Sequence, residues 1–510
     1  MIDILKSSQT ISHGIQKLIS EESINSFGKT NFQGDNANYI ISLFQEDSIN
    51  PNEVNKSFLS TLGKSLIKWS EKKLYQGYHS IDDAHHGPEL FLGFLPRFIK
   101  TFPENQKAKD LLINAAEFIG NWKKNYPKWF DYENNCFFSW KLGSAKIVSA
   151  KEYEYDTADH LRFIHISLVA WEVSGDIKFL QWANNYANVF ANRILSSTND
   201  IPLAWDRNGK VYSANDMKTN LEKKIIASHH HINDNQFNGV ENLISSGIIF
   251  IFGYLFNIFN EKVYFKASKK IVEKLIPIIT TPYSDPASLI ISYYRNTFSD
   301  YSFDKKILNY INLIPNYCED ELILGFSENS KIRFSGIGNR KDMILWYSSN
   351  ENEIKPLIEP PTSFFSLLYQ LTGNIAYAER AFKTAARKIK MSLSLLRTGY
   401  EHADSGKFVS SIISGHGRNW GVGTATGCYT NLILGSDENL GIYNNILKFY
   451  EPTINKGILP LLRKLTNNQF ELVFFNFNNY EIKIKCCFLP KNLDKTFIIQ
   501  PTSRLIHIFT

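Results

Sequence analysis

Apolar positions recur along most of this chain at spacings of three and four. Phe58, Leu62, Leu66 and Trp69 begin the pattern and fall on one face of a helix starting near Val54. A loose repeat follows. Phe102-Pro-Glu-Asn-Gln precedes a helix carrying Ala108, Leu112 and Ala116. Ser174-Gly175-Asp176, Phe259-Asn260-Glu261 and Thr372-Gly373-Asn374 precede three more. Each reads as a helix end, a tight polar turn and a new helix. Gly175 and Gly373 suit left-handed C-caps, and the Asp or Asn that follows suits an N-cap. The stretch 237–259 is apolar almost all round and predicts an inner helix, whereas 376–396 is amphipathic and predicts an outer one. Residues 1–50 are mixed and polar, with a short helix expected over 11–20. Beyond Tyr450 the period falls to two. Segments 470–477 and 480–488 predict strands, with Asn478-Asn479 as the turn between them, followed by strands near 497–499 and 505–509. Between Glu319 and Pro361 the pattern is mixed, as expected of a strand-bearing insertion or a long loop.

From about Ser57 to Gly435, this succession of hairpins resembles the α/α-toroid enzymes found among polysaccharide lyases, several glycosidase families and sugar epimerases. The resemblance implies a mainly α chain, an α/α toroid of helical hairpins with a small C-terminal β-rich segment. The expected division is an N-terminal extension (1–53), a catalytic toroid (54–450) and the β-rich segment (451–510). It also implies that loops at one end of the ring meet at a common mouth.

Composition narrows the classes. The chain has 510 residues, 43% of them hydrophobic, with 37 Phe and 25 Tyr. That is ample for a large core and for aromatic-lined grooves. The net charge of +6 is dispersed without a long basic run, which argues against a nucleic-acid partner. Five cysteines without a Cys-x-x-Cys spacing argue against a disulfide framework or a thiolate zinc site. The start of the chain shows no secretory pattern, and the most apolar stretch, 248–259, is shorter than the ~20 residues of a membrane span. A cytoplasmic location is the resulting expectation.

Ten of the twelve histidines gather in four neighbourhoods, each expected at a loop-to-helix junction. Histidine is the side chain most readily poised for proton transfer near neutral pH. The first neighbourhood, 78–89, crowds Asp82, Asp83, His85 and His86 ahead of a helix signalled by Pro88 and Glu89. A carboxylate orienting an imidazole would make an acid–base pair, and a plain helix cap is the simpler alternative. The second, 153–162, holds Tyr155, Asp156, Asp159, His160 and Arg162. Either these side chains face an anion-binding cleft, or they form a capped helix with an ordinary ion pair. The third, 228–241, holds His229, His230, His231, Asn233, Asp234, Asn235, Asn238 and Glu241. The fourth runs from Gly399 to Gly427 and sets His402, His416, Arg418, Asn419 and Trp420 among glycines, as in a binding loop where Arg clamps an anion and Trp stacks on a ring.

Several toroid lyases carry Asn and His ahead of an inner helix. There the Asn neutralises a uronate carboxylate, and a His or Tyr removes the proton α to it. On this resemblance the expected function is β-elimination on a uronate-containing glycan. The expected catalytic residues are His86, Tyr155, His230, His231, Asp83 and Asp156. His85, His160, Arg162, Asn233, Asn235, Asn238, Glu241, His402, His416, Arg418, Asn419 and Trp420 are expected to bind substrate. No cofactor is expected, although three adjacent histidines raise a divalent metal as an alternative. Rival readings are a glycoside hydrolase with paired carboxylates drawn from Asp82, Asp83, Asp156, Asp159 and Glu241, a cofactor-free enzyme on a terpenoid or other apolar substrate, and a glycan-binding scaffold without catalysis.

Overall fold

The computed structural model describes residues 2–26, 41–198, 201–213, 216, 240–279, 284–313, 322–327, 343–348, 356–357, 362–396, 421–435, 445–465 and 469–509. The chain is mostly helical, with a small β segment at its C-terminal end. Among the described residues no helix is long and apolar enough to cross a membrane.

Helices alternate in character. Phe94–Thr101 buries six successive residues, and the following helix Gln106–Ile119 buries only one face, through Ala108, Leu112, Ala115 and Ala116. Leu161–Ser174 is buried over its first ten positions and is followed by the amphipathic Ile177–Ser196. Ile248–Phe259 and Lys262–Leu275 repeat the arrangement, and the wholly buried stretch 362–370 leads into the helix Ile375–Leu396. Each fully buried Leu or Phe contributes about 1.5–3 kcal/mol, so the helices buried on all sides contribute most per residue to the hydrophobic stabilisation.

Local chemistry sets the turns. Gly175 and Gly373 are left-handed, with φ of 72° and 68°. Asp176 caps the amide of Lys178 at 3.1 Å and Asn374 that of Ala376 at 3.1 Å. Asn105 caps Ala108 at 3.1 Å, and Asn260 takes the left-handed cap after Phe259.

Two expectations need correction. The inner helix read over 237–259 is broken: helices Val240–Ser245 and Ile248–Phe259 are separated at Gly247, whose φ is 83°. Its amide donates to the carbonyl of Ile244 at 3.0 Å, and its carbonyl accepts from Ile251 at 3.0 Å, so one glycine ends the first helix and starts the second. The short helix expected over 11–20 is instead the long helix Ile2–Ser26, which packs against Ile375–Leu396.

The β segment also departs from expectation. Strands Phe470–Asn476 and Ile482–Phe488 are neighbours in sequence but do not pair. Phe470–Asn476 lies antiparallel between Ile458–Lys464 and Arg504–Phe509, while Ile482–Phe488 lies between Leu493–Ile499 and Leu447–Phe449. The chain passes from one three-stranded sheet to the other through 477–481, where Asn476 donates to the carbonyls of Tyr480, Ile499 and Gln500. Phenylalanines join the sheets: the Phe474 and Phe497 rings are 5.1 Å apart, and those of Phe488 and Phe509 stack at 4.5 Å. Burying both inner faces wins over closing a local hairpin. The 319–361 region contains a three-stranded antiparallel sheet of Leu322–Ser327, Met343–Ser348 and Pro356–Leu357.

Candidate active site

The first two histidine neighbourhoods meet. The short helix Glu89–Leu92 packs on Leu161–Ser174, and between them lies a cluster that is almost free of solvent. His85 is 1% exposed and Asp159 and Arg162 are both fully buried. His85 Nδ1 is 3.0 Å from Asp159 Oδ1, and Trp140 Nε1 donates to Asp159 Oδ2 at 2.9 Å. Arg162 donates to the carbonyl of His85, with Glu89 at 3.8 Å and Asp159 at 3.9 Å from its guanidinium. Burial first, then the charge of Arg162, pushes His85 down to about 3, against the pull of Asp159. The ring is therefore neutral at pH 7, and its hydrogen bond to the carboxylate places the proton on Nδ1.

One residue further on, the chemistry reverses. The side chain of His86 is 53% exposed, and its Nδ1 lies 3.1 Å from both oxygens of Asp83. Asp83 also accepts from the backbone amides of His85 at 3.0 Å and His86 at 2.7 Å, so it caps this turn and orients the imidazole at once. Desolvation works against a charged ring here, yet the hydrogen bond and charge of Asp83 raise His86 to about 9. Asp83 moves the other way: although burial raises it, hydrogen bonding to His86 leaves it below its usual range. The two imidazoles meet edge to face with centroids 4.7 Å apart. Asp82 completes the group. Burial, reinforced by the Asp83 charge, raises its carboxyl to about 6, although it accepts the Asp83 amide at 3.0 Å. Gly87 is required beside it: a Cβ there would fall 2.8 Å from the Asp83 carbonyl and 3.2 Å from the Asp82 carboxyl carbon.

The candidate side chains of the second neighbourhood are buried. His160 Nδ1 accepts the Thr157 amide at 3.0 Å in a capping box, and its ring lies 4.8 Å from that of Phe137. Asp156 accepts the Phe137 amide at 2.9 Å and the Tyr186 hydroxyl at 2.7 Å. Tyr155 is 9% exposed and packs edge to face on Tyr212 at 5.3 Å. Arg162 belongs to the buried cluster. Capping and hydrogen bonding thus engage Asp156 and His160, and ion pairing engages Arg162.

Residues His230, His231, Asn233, Asn235 and Asn238 lie outside the described residues, as do His402, His416, Arg418, Asn419 and Trp420. Glu241 lies in helix Val240–Ser245, its side chain likewise outside them. That helix, which directly follows the third neighbourhood in sequence, packs on the turn Ala158–His160. Among the described residues no three His, Cys, Asp or Glu side chains are grouped to hold a metal ion.

Sequence reasoning missed Trp140 altogether and took Glu89 for a first-turn charge only. Trp140 lies on an irregular segment, where no periodicity marks it. Glu89 could have been singled out as a carboxylate at a position buried on all sides. No protein-family model matches this chain, and no curated protein matches it.

Proposed function

We propose that this chain is an acid–base enzyme acting on a glycan, with the Asp83–His86 dyad as its proton-transfer group. The observation that carries this reading is a half-exposed imidazole fixed through Nδ1 by a carboxylate, which directs Nε2 to the reaction. Behind it, the buried His85–Asp159–Arg162–Glu89 cluster is a hydrogen-bonded and ion-paired support.

The finer reading is β-elimination on a uronate-containing glycan. His86, raised to about 9, is a strong base once deprotonated. The α-proton of a uronate becomes acidic enough only when its carboxylate charge is neutralised, and Asn233, Asn235 and Arg418 are the side chains suited to that task. The toroid belongs to this proposal. What supports it is the alternation of buried and amphipathic helices, and a circuit of neighbour contacts. The circuit runs from 94–101 through 106–119, 161–174, 177–196, 262–275, 284–298, 362–372 and 421–434 to 41–49, which packs again on 94–101.

Incubation with a panel of uronate glycans tests the proposal by the absorbance of the new C=C bond. The expected outcome is product formation whose kcat/KM rises with pH toward about 9 and falls at least a hundredfold in His86→Ala and Asp83→Asn. Absence of unsaturated product from every uronate glycan sinks the elimination. One observation favours a second reading, glycoside hydrolysis: Asp82 at about 6 is placed to donate a proton near neutrality. New reducing ends without unsaturation, lost in Asp82→Asn, would select it.

A further inference from the structure

A second site lies away from the histidines. A cleft of about 630 Å³ opens between the helical body and the β segment. Its walls come from four places. Asp47 lies on helix Ile41–Ile49, Lys56 on helix Glu53–Lys73, Arg97 and Lys100 on helix Phe94–Thr101, and Lys448 on strand Leu447–Phe449. Arg97 and Lys100, three apart, share one helix face. The rest of the lining includes the rings of Phe102, Phe449 and Tyr450.

Four cationic residues and one carboxylate thus line the cleft. Some of that charge is already engaged: Arg97, 1% exposed, donates through Nη1 to the Gly93 carbonyl at 3.0 Å. Lys56 pairs with Glu53 at 3.0 Å, and Lys100 with Glu172 at 3.4 Å. Lys448 makes no ion pair among the described residues and stands over the Tyr450 ring at 5.9 Å. Like charges gathered around a concave surface focus a positive potential into it. Counting Glu53 and Glu172 with Asp47, three carboxylates meet four cations, and the surplus positive charge calls for an anionic group such as a phosphate. The aromatic part of the wall suits a carbon body rather than a bare inorganic ion, and the volume is that of a small-molecule site.

We propose that this cleft binds an organic phosphate, with Lys56, Arg97, Lys100 and Lys448 around the phosphate and the ring-bearing wall against the body of the ligand. This goes beyond the acid–base reading and does not depend on it. Because the cleft takes residues from both the helical body and the β segment, an occupant bridges them.

Calorimetric titration of the full chain at low salt tests the idea, with glucose 6-phosphate, ADP and inorganic pyrophosphate as probes. The expected result is saturable one-site binding of the sugar phosphate or the nucleotide, tighter than that of pyrophosphate. Which of the two binds identifies the body of the ligand. Lys448→Gln and Lys56→Gln should each weaken binding tenfold or more, and Asp47→Asn should tighten it several-fold, with thermal midpoints unchanged within a few degrees. Saturable binding by neither organic phosphate overturns the proposal, and so does binding that Lys448→Gln and Lys56→Gln leave intact. Turnover of a uronate glycan by Lys448→Gln at the wild-type rate is expected whichever way the titration falls, which keeps the two sites separable.

Discussion

Asp159 and Glu46 are both fully buried carboxylates, yet they sit in opposite electrical settings. Asp159 faces Arg162, His85 and the indole of Trp140, so charge meets charge. Glu46, on helix Ile41–Ile49, accepts from Ser12, from Asn50 at 2.9 Å and from Gln16 at 3.3 Å, all of them neutral groups. Its Oε2 has no hydrogen-bond partner among the described residues. Burial pushes Glu46 up to about 7, although Ser12, Asn50, Tyr429 and Gln16 all pull it down. Equal burial therefore has different results. A cation in the cluster keeps one site ionic, and neutral donors alone make the other a proton-holding site.

The two clusters should fail at opposite ends of the pH scale. His85 is neutral in the folded chain down to about 3 but takes a proton below about 6.5 when unfolded. Its contribution is therefore complete above about 6.5 and shrinks as pH falls. Glu46 runs the other way. The folded chain holds its proton up to about 7 while the unfolded chain releases it near 4.5, so stability falls as pH rises between these values.

The largest effect should come from Asp159→Ala. It removes the buried acceptor shared by His85 and Trp140, along with one of the two carboxylates beside Arg162, and should cost about 3–5 kcal/mol in urea denaturation. A cost below about 1 kcal/mol would mean that Asp159 is not what holds this cluster together. Next, Glu46→Gln should stabilise the protein at pH 8, by at most about 3 kcal/mol, and leave it unchanged at pH 4. A variant curve that keeps the wild-type slope between pH 4.5 and 7 would show that another group holds the proton. Trp140→Phe removes a donor to a buried carboxylate and should cost about 1–3 kcal/mol, read as a lower thermal midpoint. The smallest change should follow His86→Ala, about 1 kcal/mol or less for a half-exposed pair. It should be present below pH 6.5 and vanish as pH rises through about 9. Unfolding of this variant at 25 °C would break the contrast between a supporting cluster and an accessible dyad.

How much of this could be read from the chain depended on distance along it. Gly175 with Asp176 and Gly373 with Asn374 were legible because a cap is decided by neighbours. Asp83 and His86 were legible as members of one acid–base group because they lie only three positions apart. The Asp159 partner of His85 lies 74 residues away, and nothing local chooses Asp159 over Asp156. Asp156 is instead taken up by Tyr186 and the Phe137 amide. The β hairpin failed for the same reason: alternation showed strands, but pairing was decided by phenylalanines on strands further along the chain. Glu46 was invisible, since a polar residue in a polar-looking stretch gives no sign that helices from 2–26 and 421–434 will close over it.

The clasp around Asn50 has a consequence for the order of assembly. Asn50 accepts the amides of Thr453 and Asn455, and the side chain of Gln9 donates to a carbonyl 445 residues further along the chain. At a synthesis rate of about 5–20 residues per second, helix Ile2–Ser26 waits on the order of half a minute or more for the surface that buries Ile4, Ile11 and Ile15. During that interval it is an exposed amphipathic segment, open to a chaperone or to a wrong partner. Yield in the cell should therefore respond to mutations at Ile11 and Ile15 through misassembly as well as through lost stability.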